Sequence, residues 1–194
     1  MSILKKTKFL AAAAAAAVAF VATGASAAPV PCSDNPTLNR MLIDDSQVGA
    51  CLDSGIGNLN GNPNGGNADP FLTGVGSAYE LASKSDAIDN NRFNLVFTQV
   101  QGEATGTWSF DASAWAEYTD LAIGFKFGTG NNPDEWFVYS VATLVSSGDW
   151  QFINQFGQGG GLSHMNLYGI AGQFPPGQVP EPAGLALLGI GALG

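Results

Sequence analysis

Residues 121–127 read Leu-Ala-Ile-Gly-Phe-Lys-Phe, with a large apolar side chain at every second position. Leu121, Ile123, Phe125 and Phe127 share one face of an extended chain, and Ala122, Gly124 and Lys126 share the other. A period of two fits a pleated strand, since a helix spreads alternate residues around its axis. Trp108 and Phe110 oppose Thr105, Thr107 and Ser109 in the same way. Short runs suited to strands occur at 78–84, 93–100, 104–110, 120–127, 135–144, 148–154 and 162–168, divided by Gly, Asn or Asp turns. They predict an all-β chain: an antiparallel β-sandwich of two packed sheets, jelly-roll-like in form. Residues 111–118 predict one short helical turn at an end of the sandwich. Gly106-Thr107-Trp108-Ser109-Phe110 is echoed in outline by Gly148-Asp149-Trp150-Gln151-Phe152. No third copy appears, so the echo reads as two strands of similar shape rather than a repeat architecture.

Composition agrees with this class. Glycine occurs 26 times and charged residues make up 12% of the chain, whereas helical bundles carry more charge on their solvent faces. Residues 28–75 read as loop-rich, with Met41-Leu42-Ile43 as the only clear apolar cluster. Residues 55–70 are dense in Gly and Asn, a composition for tight turns with positive φ. Both cysteines, Cys32 and Cys51, fall in this part. In an exported chain such a pair predicts one disulfide, stabilising by about 3 kcal/mol through loop closure. Two free thiols are the alternative.

The N-terminus argues for export. Lys5, Lys6 and Lys8 form a positive start, and an apolar, Ala-rich run follows from Phe9 to Ala22. Ala25-Ser26-Ala27 is a small-x-small cleavage site, so residues 1–27 predict a secretory signal peptide removed between Ala27 and Ala28. At the other end, Val179-Pro180-Glu181-Pro182 is stiff and extended, because each proline fixes its own φ and biases the preceding residue away from helix. A wholly apolar, uncharged stretch, 183–194, follows. A bilayer core takes about 20 helical residues, so this membrane segment is expected to continue past Gly194.

Val179, Pro180, Glu181 and Pro182, followed by Gly184-Leu185-Ala186-Leu187-Leu188-Gly189, resemble the PEP-CTERM sorting signal. That family signal joins a Pro-Glu-Pro motif to a transmembrane helix and a short Arg-rich tail. It occurs on exported proteins of Gram-negative bacteria that make exopolysaccharide. The resemblance implies recognition and processing by exosortase, a membrane-embedded enzyme. It implies passage through the export machinery and signal peptidase, transient membrane anchoring, then release to the cell surface or extracellular matrix. The expected organisation is a signal peptide (1–27), an extracytoplasmic domain (28–178) and the sorting signal (179–194). The middle of the chain also resembles domains often found on such proteins, over most of residues 76–170. Gly106-Thr107-Trp108, Lys126, Gly148-Asp149-Trp150 and Leu162-Ser163-His164-Met165-Asn166-Leu167-Tyr168-Gly169 carry this likeness. It implies a β-sandwich of unassigned activity.

Charge narrows the partners. Beyond residue 27 only four basic residues face 16 acidic ones. Such a surface repels nucleic acid, whose binding needs Lys and Arg on phosphates. No catalytic constellation stands out. His164 is the only histidine, and its neighbour Ser163 would point to the opposite face of a strand. One histidine and a bridged cysteine pair cannot build a zinc site. Asp134 and Glu135 are adjacent but lack the spacing of a glycosidase pair. Calcium is the one ion left open, through Asn60, Asn62, Asn64, Asn67, Asp69, Asn131, Asn132 and Asp134, although turn chemistry explains these residues equally well. Trp108, Trp136 and Trp150 lie in expected strands, leaving Trp115 as the best exposed candidate for stacking on a sugar. What the resemblance to the PEP-CTERM signal implies, joined to the lack of a catalytic constellation, is a non-catalytic surface or matrix protein associated with exopolysaccharide and biofilm. The alternatives are a calcium- or carbohydrate-binding adhesin-like module, or a secreted hydrolase with an unrecognised site.

Overall fold

The computed structural model describes residues 27–33, 40–100, 104–128, 134–153 and 161–172. Among the described residues ten strands form two five-stranded antiparallel sheets. They are β1 (Pro29–Cys32), β2 (Arg40–Asp44), β3 (Val48–Ile56), β4 (Glu80–Lys84), β5 (Val96–Gln99), β6 (Thr105–Ser109), β7 (Tyr118–Gly128), β8 (Glu135–Val141), β9 (Ser147–Ile153) and β10 (Gly161–Ala171). A single turn of helix, α1 (Pro70–Thr73), sits between β3 and β4. The first sheet runs β1-β2-β9-β6-β5 and the second runs β3-β8-β7-β10-β4. All seven strands expected beyond residue 77 are present, and the short turn expected at 111–118 is a 3₁₀ helix over Ala112–Ala116.

The core lies between the sheets. From β7, Leu121, Ile123, Phe125 and Phe127 point inward, as the alternation requires. They meet Phe137, Tyr139 and Val141 of β8, Met165 and Leu167 of β10, and Trp108, Trp150 and Phe152 from the first sheet. The Phe127 ring stacks on Phe152 across the gap, with centroids 4.2 Å apart. Each such side chain removed from water contributes about 2–3 kcal/mol, so this layer supplies most of the drive to fold.

The echoed Gly-x-Trp segments turn out to be neighbours. They form β6 and β9, paired so that Gly106 faces Trp150 and Trp108 faces Gly148. Each glycine makes room for the indole opposite. A Cβ at Gly106 would lie 2.6 Å from Trp150 Cζ2, and one at Gly148 would lie 2.9 Å from Trp108 Cε2. The similarity in sequence is thus a reciprocal packing solution, with small against large on both sides.

The N-terminal part corrects the sequence reading. Residues 29–32 and 40–56 are not loop-rich, since they contribute one strand pair to the first sheet and an edge strand to the second. Their signals are weak for physical reasons. β1 carries Pro29 and Pro31 and survives because it is an edge strand. β3 shifts register against β8 between Val48 and Ala50 and between Cys51 and Asp53, which breaks the alternation. The Cys32–Cys51 disulfide joins β1 of the first sheet to β3 of the second, with Cα atoms 5.1 Å apart. Beside it, Tyr139 of β8 donates its hydroxyl to the Met41 carbonyl at 2.8 Å, with the Val30 carbonyl at 3.3 Å. Burial pushes the Tyr139 phenol far up, so it stays a donor. A covalent bond and a hydrogen bond therefore pin the two sheets together at the same place.

Among the described residues no helix is long and apolar enough to cross a membrane. The apolar segment 183–194, the sorting residues Val179, Pro180, Glu181 and Pro182, and Ala25 lie outside the described residues.

Candidate functional site

Two surfaces were candidates for function: the outer face of each sheet. The outer face of the second sheet carries His164, Asn166 and Tyr168 on β10, Ala122, Gly124 and Lys126 on β7, and Trp136 and Val138 on β8. It is not solvated. Residues 57–79 fold over it, so these strands are buried on both faces rather than half-buried as their alternation suggested. Gly57, Gly61 and Gly65 adopt φ of 110°, 79° and 92°, the left-handed turns expected of this Gly- and Asn-rich stretch. Leu59 drops into the notch left by Gly124, where a Cβ would sit 2.5 Å from its Cδ2. Phe71 and Leu72 of α1 complete the apolar seal, Phe71 packing 4.9 Å from the Tyr168 ring.

Polar bonds fix the lid in place. Asp69 is fully buried, and its carboxylate accepts four hydrogen bonds. Oδ1 accepts from Phe71 N at 3.0 Å and Leu72 N at 3.2 Å, capping α1. Oδ2 accepts from Gly61 N at 2.7 Å and from the Tyr168 hydroxyl at 2.9 Å. Four donors offset the cost of burying the charge. Burial, reinforced by the Asp69 charge, raises the Tyr168 phenol well above its ordinary range. The Leu59 carbonyl accepts from Asn166 Nδ2 at 2.8 Å and from His164 Nε2 at 2.7 Å. A carbonyl only accepts, so Nε2 carries the proton. Burial holds His164 below its ordinary value, and the Lys84 and Lys126 charges add to that. Its Nδ1 faces Asp86 Oδ2 at 3.8 Å. Lys126, almost fully buried, forms an ion pair with Asp134.

These contacts account for most of the residues singled out from sequence. His164 is a strand histidine that holds a loop, and Ser163 is exposed at the bulge where β10 shifts register against β7 between Leu162 and His164. Asp134 is engaged with Lys126. Asn60 Oδ1 accepts from Asn62 N, and Asn62 Oδ1 from Asn64 N, so two of the oxygens considered for calcium serve turns. Asn131 and Asn132 lie outside the described residues. Among the described residues no three His, Cys, Asp or Glu side chains group closely enough to hold a metal ion. Trp115 is a correction. It is buried, because the 3₁₀ turn tucks its ring under the sandwich end and Nε1 donates to the Val145 carbonyl at 2.8 Å. It offers no platform for a sugar.

Sequence reasoning missed the linkage of Asp69, Tyr168 and Asn166. A signal for its first member was there: Asp69-Pro70 before Phe71-Leu72 is the pattern of an N-cap with proline at the first helical position.

Among the described residues nothing covers the outer face of the first sheet. Thr98 of β5 and Thr107 of β6 are exposed and share a hydroxyl–hydroxyl bond of 2.7 Å. Beside them stand Thr105, then Asp149 and Gln151 of β9, then Leu42 and Asp44 of β2. Together they line a shallow groove of about 590 Å³ that ends at Pro29 and Val100. Asp44 is held below the usual carboxylate range by hydrogen bonds from Ser46, chiefly its backbone N–H. Such a surface offers hydroxyls, an amide and carboxylates to a polar ligand, and among the described residues no histidine faces it.

Fold and surfaces define a two-sheet antiparallel β-protein with a disulfide across its sheets, one outer face under a lid and another that carries a polar groove. No known protein family, curated protein or solved structure matches the chain.

Proposed function

We infer that the chain is an exported, non-catalytic surface or matrix protein, sorted by exosortase through Val179, Pro180, Glu181 and Pro182. Its body, residues 28–178, is a jelly-roll-like domain that works outside the inner membrane among exopolysaccharide. The disulfide between Cys32 and Cys51 carries this reading, because such bonds persist in oxidising compartments. The start of the fold agrees with it. Ala27 and Ala28 are exposed, β1 begins at Pro29, and the Ala28 carbonyl accepts from Asp45 N at 2.9 Å. Cleavage after Ala27 would leave every described strand intact. The jelly-roll likeness is supported by two nested antiparallel pairs, β2 with β9 in one sheet and β3 with β8 in the other. On the outer face of the second sheet His164, Asn166 and Tyr168 are engaged in holding a loop, which favours a structural role over catalysis.

The test is expression of the complete gene in an exosortase-bearing host and in the same host without the enzyme. Surface material from the first should begin at Ala28, contain no free thiol and lack the apolar tail. In the second host, or with Pro180→Ala and Pro182→Ala, the tail should be retained in the membrane. A chain that starts at Met1, or a tail that is lost equally in both hosts, would sink the proposal.

A second reading rests on the groove of the first sheet. Thr98, Thr107, Asp149 and Gln151 present the hydroxyl, carboxylate and amide groups that hydrogen-bond sugar hydroxyls. A glycan array on residues 28–178 should then show binding that Gln151→Ala and Asp149→Ala abolish. An array with no signal removes this reading and leaves the structural one.

A further inference from the structure

The chain contains two Asn-Gly pairs, Asn60-Gly61 and Asn64-Gly65, both within the lid. An asparagine followed by glycine is prone to attack by the next backbone nitrogen on its own side-chain carbonyl, since glycine has no Cβ to obstruct the ring that forms. The reaction needs two freedoms. The nitrogen must be able to lose its proton, and the carboxamide must be able to swing onto it.

The first pair has neither. Gly61 is buried, and its N–H donates to Asp69 Oδ2 at 2.7 Å. The Asn60 carboxamide is clamped at both ends, Oδ1 accepting from Asn62 N at 2.7 Å and Nδ2 donating to the Asn67 carbonyl. The second pair has both. Asn64 and Gly65 are exposed, and nothing lies within 4 Å of where a Gly65 Cβ would stand. The one hydrogen bond of Asn64 uses its backbone N–H, donated to Asn62 Oδ1 at 3.0 Å. Among the described residues neither its carboxamide nor the Gly65 N–H has a partner.

We propose that Asn64 is a site of spontaneous deamidation in the folded protein, whereas Asn60, four residues earlier in the same loop, is protected by the fold. The Gly65 nitrogen bonds to Asn64 Cγ, the Cγ–Nδ2 bond breaks, and ammonia leaves with the Gly65 proton. Water then opens the cyclic imide at either carbonyl, giving an aspartyl or an isoaspartyl residue. Overall one water is consumed and one ammonia released, with no change of oxidation state. The product adds one negative charge to the rim of the lid. It leaves the anchors at Leu59 and Asp69 untouched, so the protein stays folded as it changes.

The experiment is a time course on the folded full-length protein in mildly alkaline buffer, read by peptide mass spectrometry, with a parallel sample in concentrated urea. Asn64 should convert in the folded sample at least about tenfold faster than Asn60, because Asn60 reacts only from locally opened chains. In urea the two rates should converge. Hydroxylamine, which cuts the cyclic imide, should cleave the folded protein after Asn64 and spare the bond after Asn60. Equal rates at both positions in the folded sample would overturn the proposal. So would an Asn64 that stays intact when folded and reacts in urea.

Discussion

The outer face of the second sheet lies under residues 57–79, while among the described residues nothing covers that of the first sheet. Both are built from short strands of one β-rich chain, and the difference lies in what the strands present. β7, β8 and β10 put Ala122, Gly124, Trp136, Val138 and Tyr168 outward, a partly apolar surface with a notch. β6 and β9 put Thr105, Thr107, Asp149 and Gln151 outward, a polar surface that needs no apolar cover. The lid has few apolar groups of its own, chiefly Leu59, Phe71 and Leu72. Hydrophobic burial alone would hold it weakly and in no particular place. Hydrogen bonds accepted by Asp69 and donated by His164 and Asn166 decide the place, since a buried polar group left unpaired is costly wherever else the loop might lie.

Breaking the lid at its strongest point should show the largest effect. Asp69→Ala removes the acceptor for three backbone N–H groups and one phenol, and should cost about 3–5 kcal/mol, read as a fall in the urea midpoint. Filling the notch comes next. Gly124→Ala places a methyl against Leu59 and Tyr168 and should cost about 1–3 kcal/mol by the same measurement.

A smaller, pH-dependent effect belongs to His164. Burial holds its folded pKa below the 6.5 of the unfolded chain, so as pH falls through 6.5 the unfolded state takes up the proton first. Stability present above that pH therefore declines until the folded pKa is reached. Gln at this position keeps a donor for the Leu59 carbonyl without titrating. The drop in urea midpoint between about pH 7.5 and about pH 5.5 should shrink in His164→Gln. An undiminished drop would place the pH sensitivity elsewhere. The smallest effect is expected on the outer face of the first sheet, where Thr107→Ala should change stability by about 0.5 kcal/mol or less. A large loss there would mean that the first sheet's outer face is also covered, and the contrast between the faces would fail.

How much of this was legible follows from the same contrast. Wherever strands alternate cleanly, as in β7, the inward set could be named residue by residue. The bulges of β3 and the prolines of β1 erased that signal, so the N-terminal strands read as loop. Trp115 was misjudged because a 3₁₀ turn gives a local pattern no period, and its burial depends on Val145, 30 residues away. Cys32 and Cys51 were paired correctly from count and setting, but nothing local says that their bond spans two sheets.

By itself the sequence determined the class of fold, the inward faces of β6 and β7 and the turn-forming character of residues 55–70. These depend on side-chain period and on glycine's access to positive φ, and both are local properties. Only the tertiary structure decided which sheet the turn-rich segment covers and which glycines receive which rings. It also decided that one histidine, one aspartate and one asparagine serve as fasteners. Those outcomes rest on bonds such as that between Asp69 and Tyr168, 99 residues apart in the chain, and no local pattern encodes a partner at that distance.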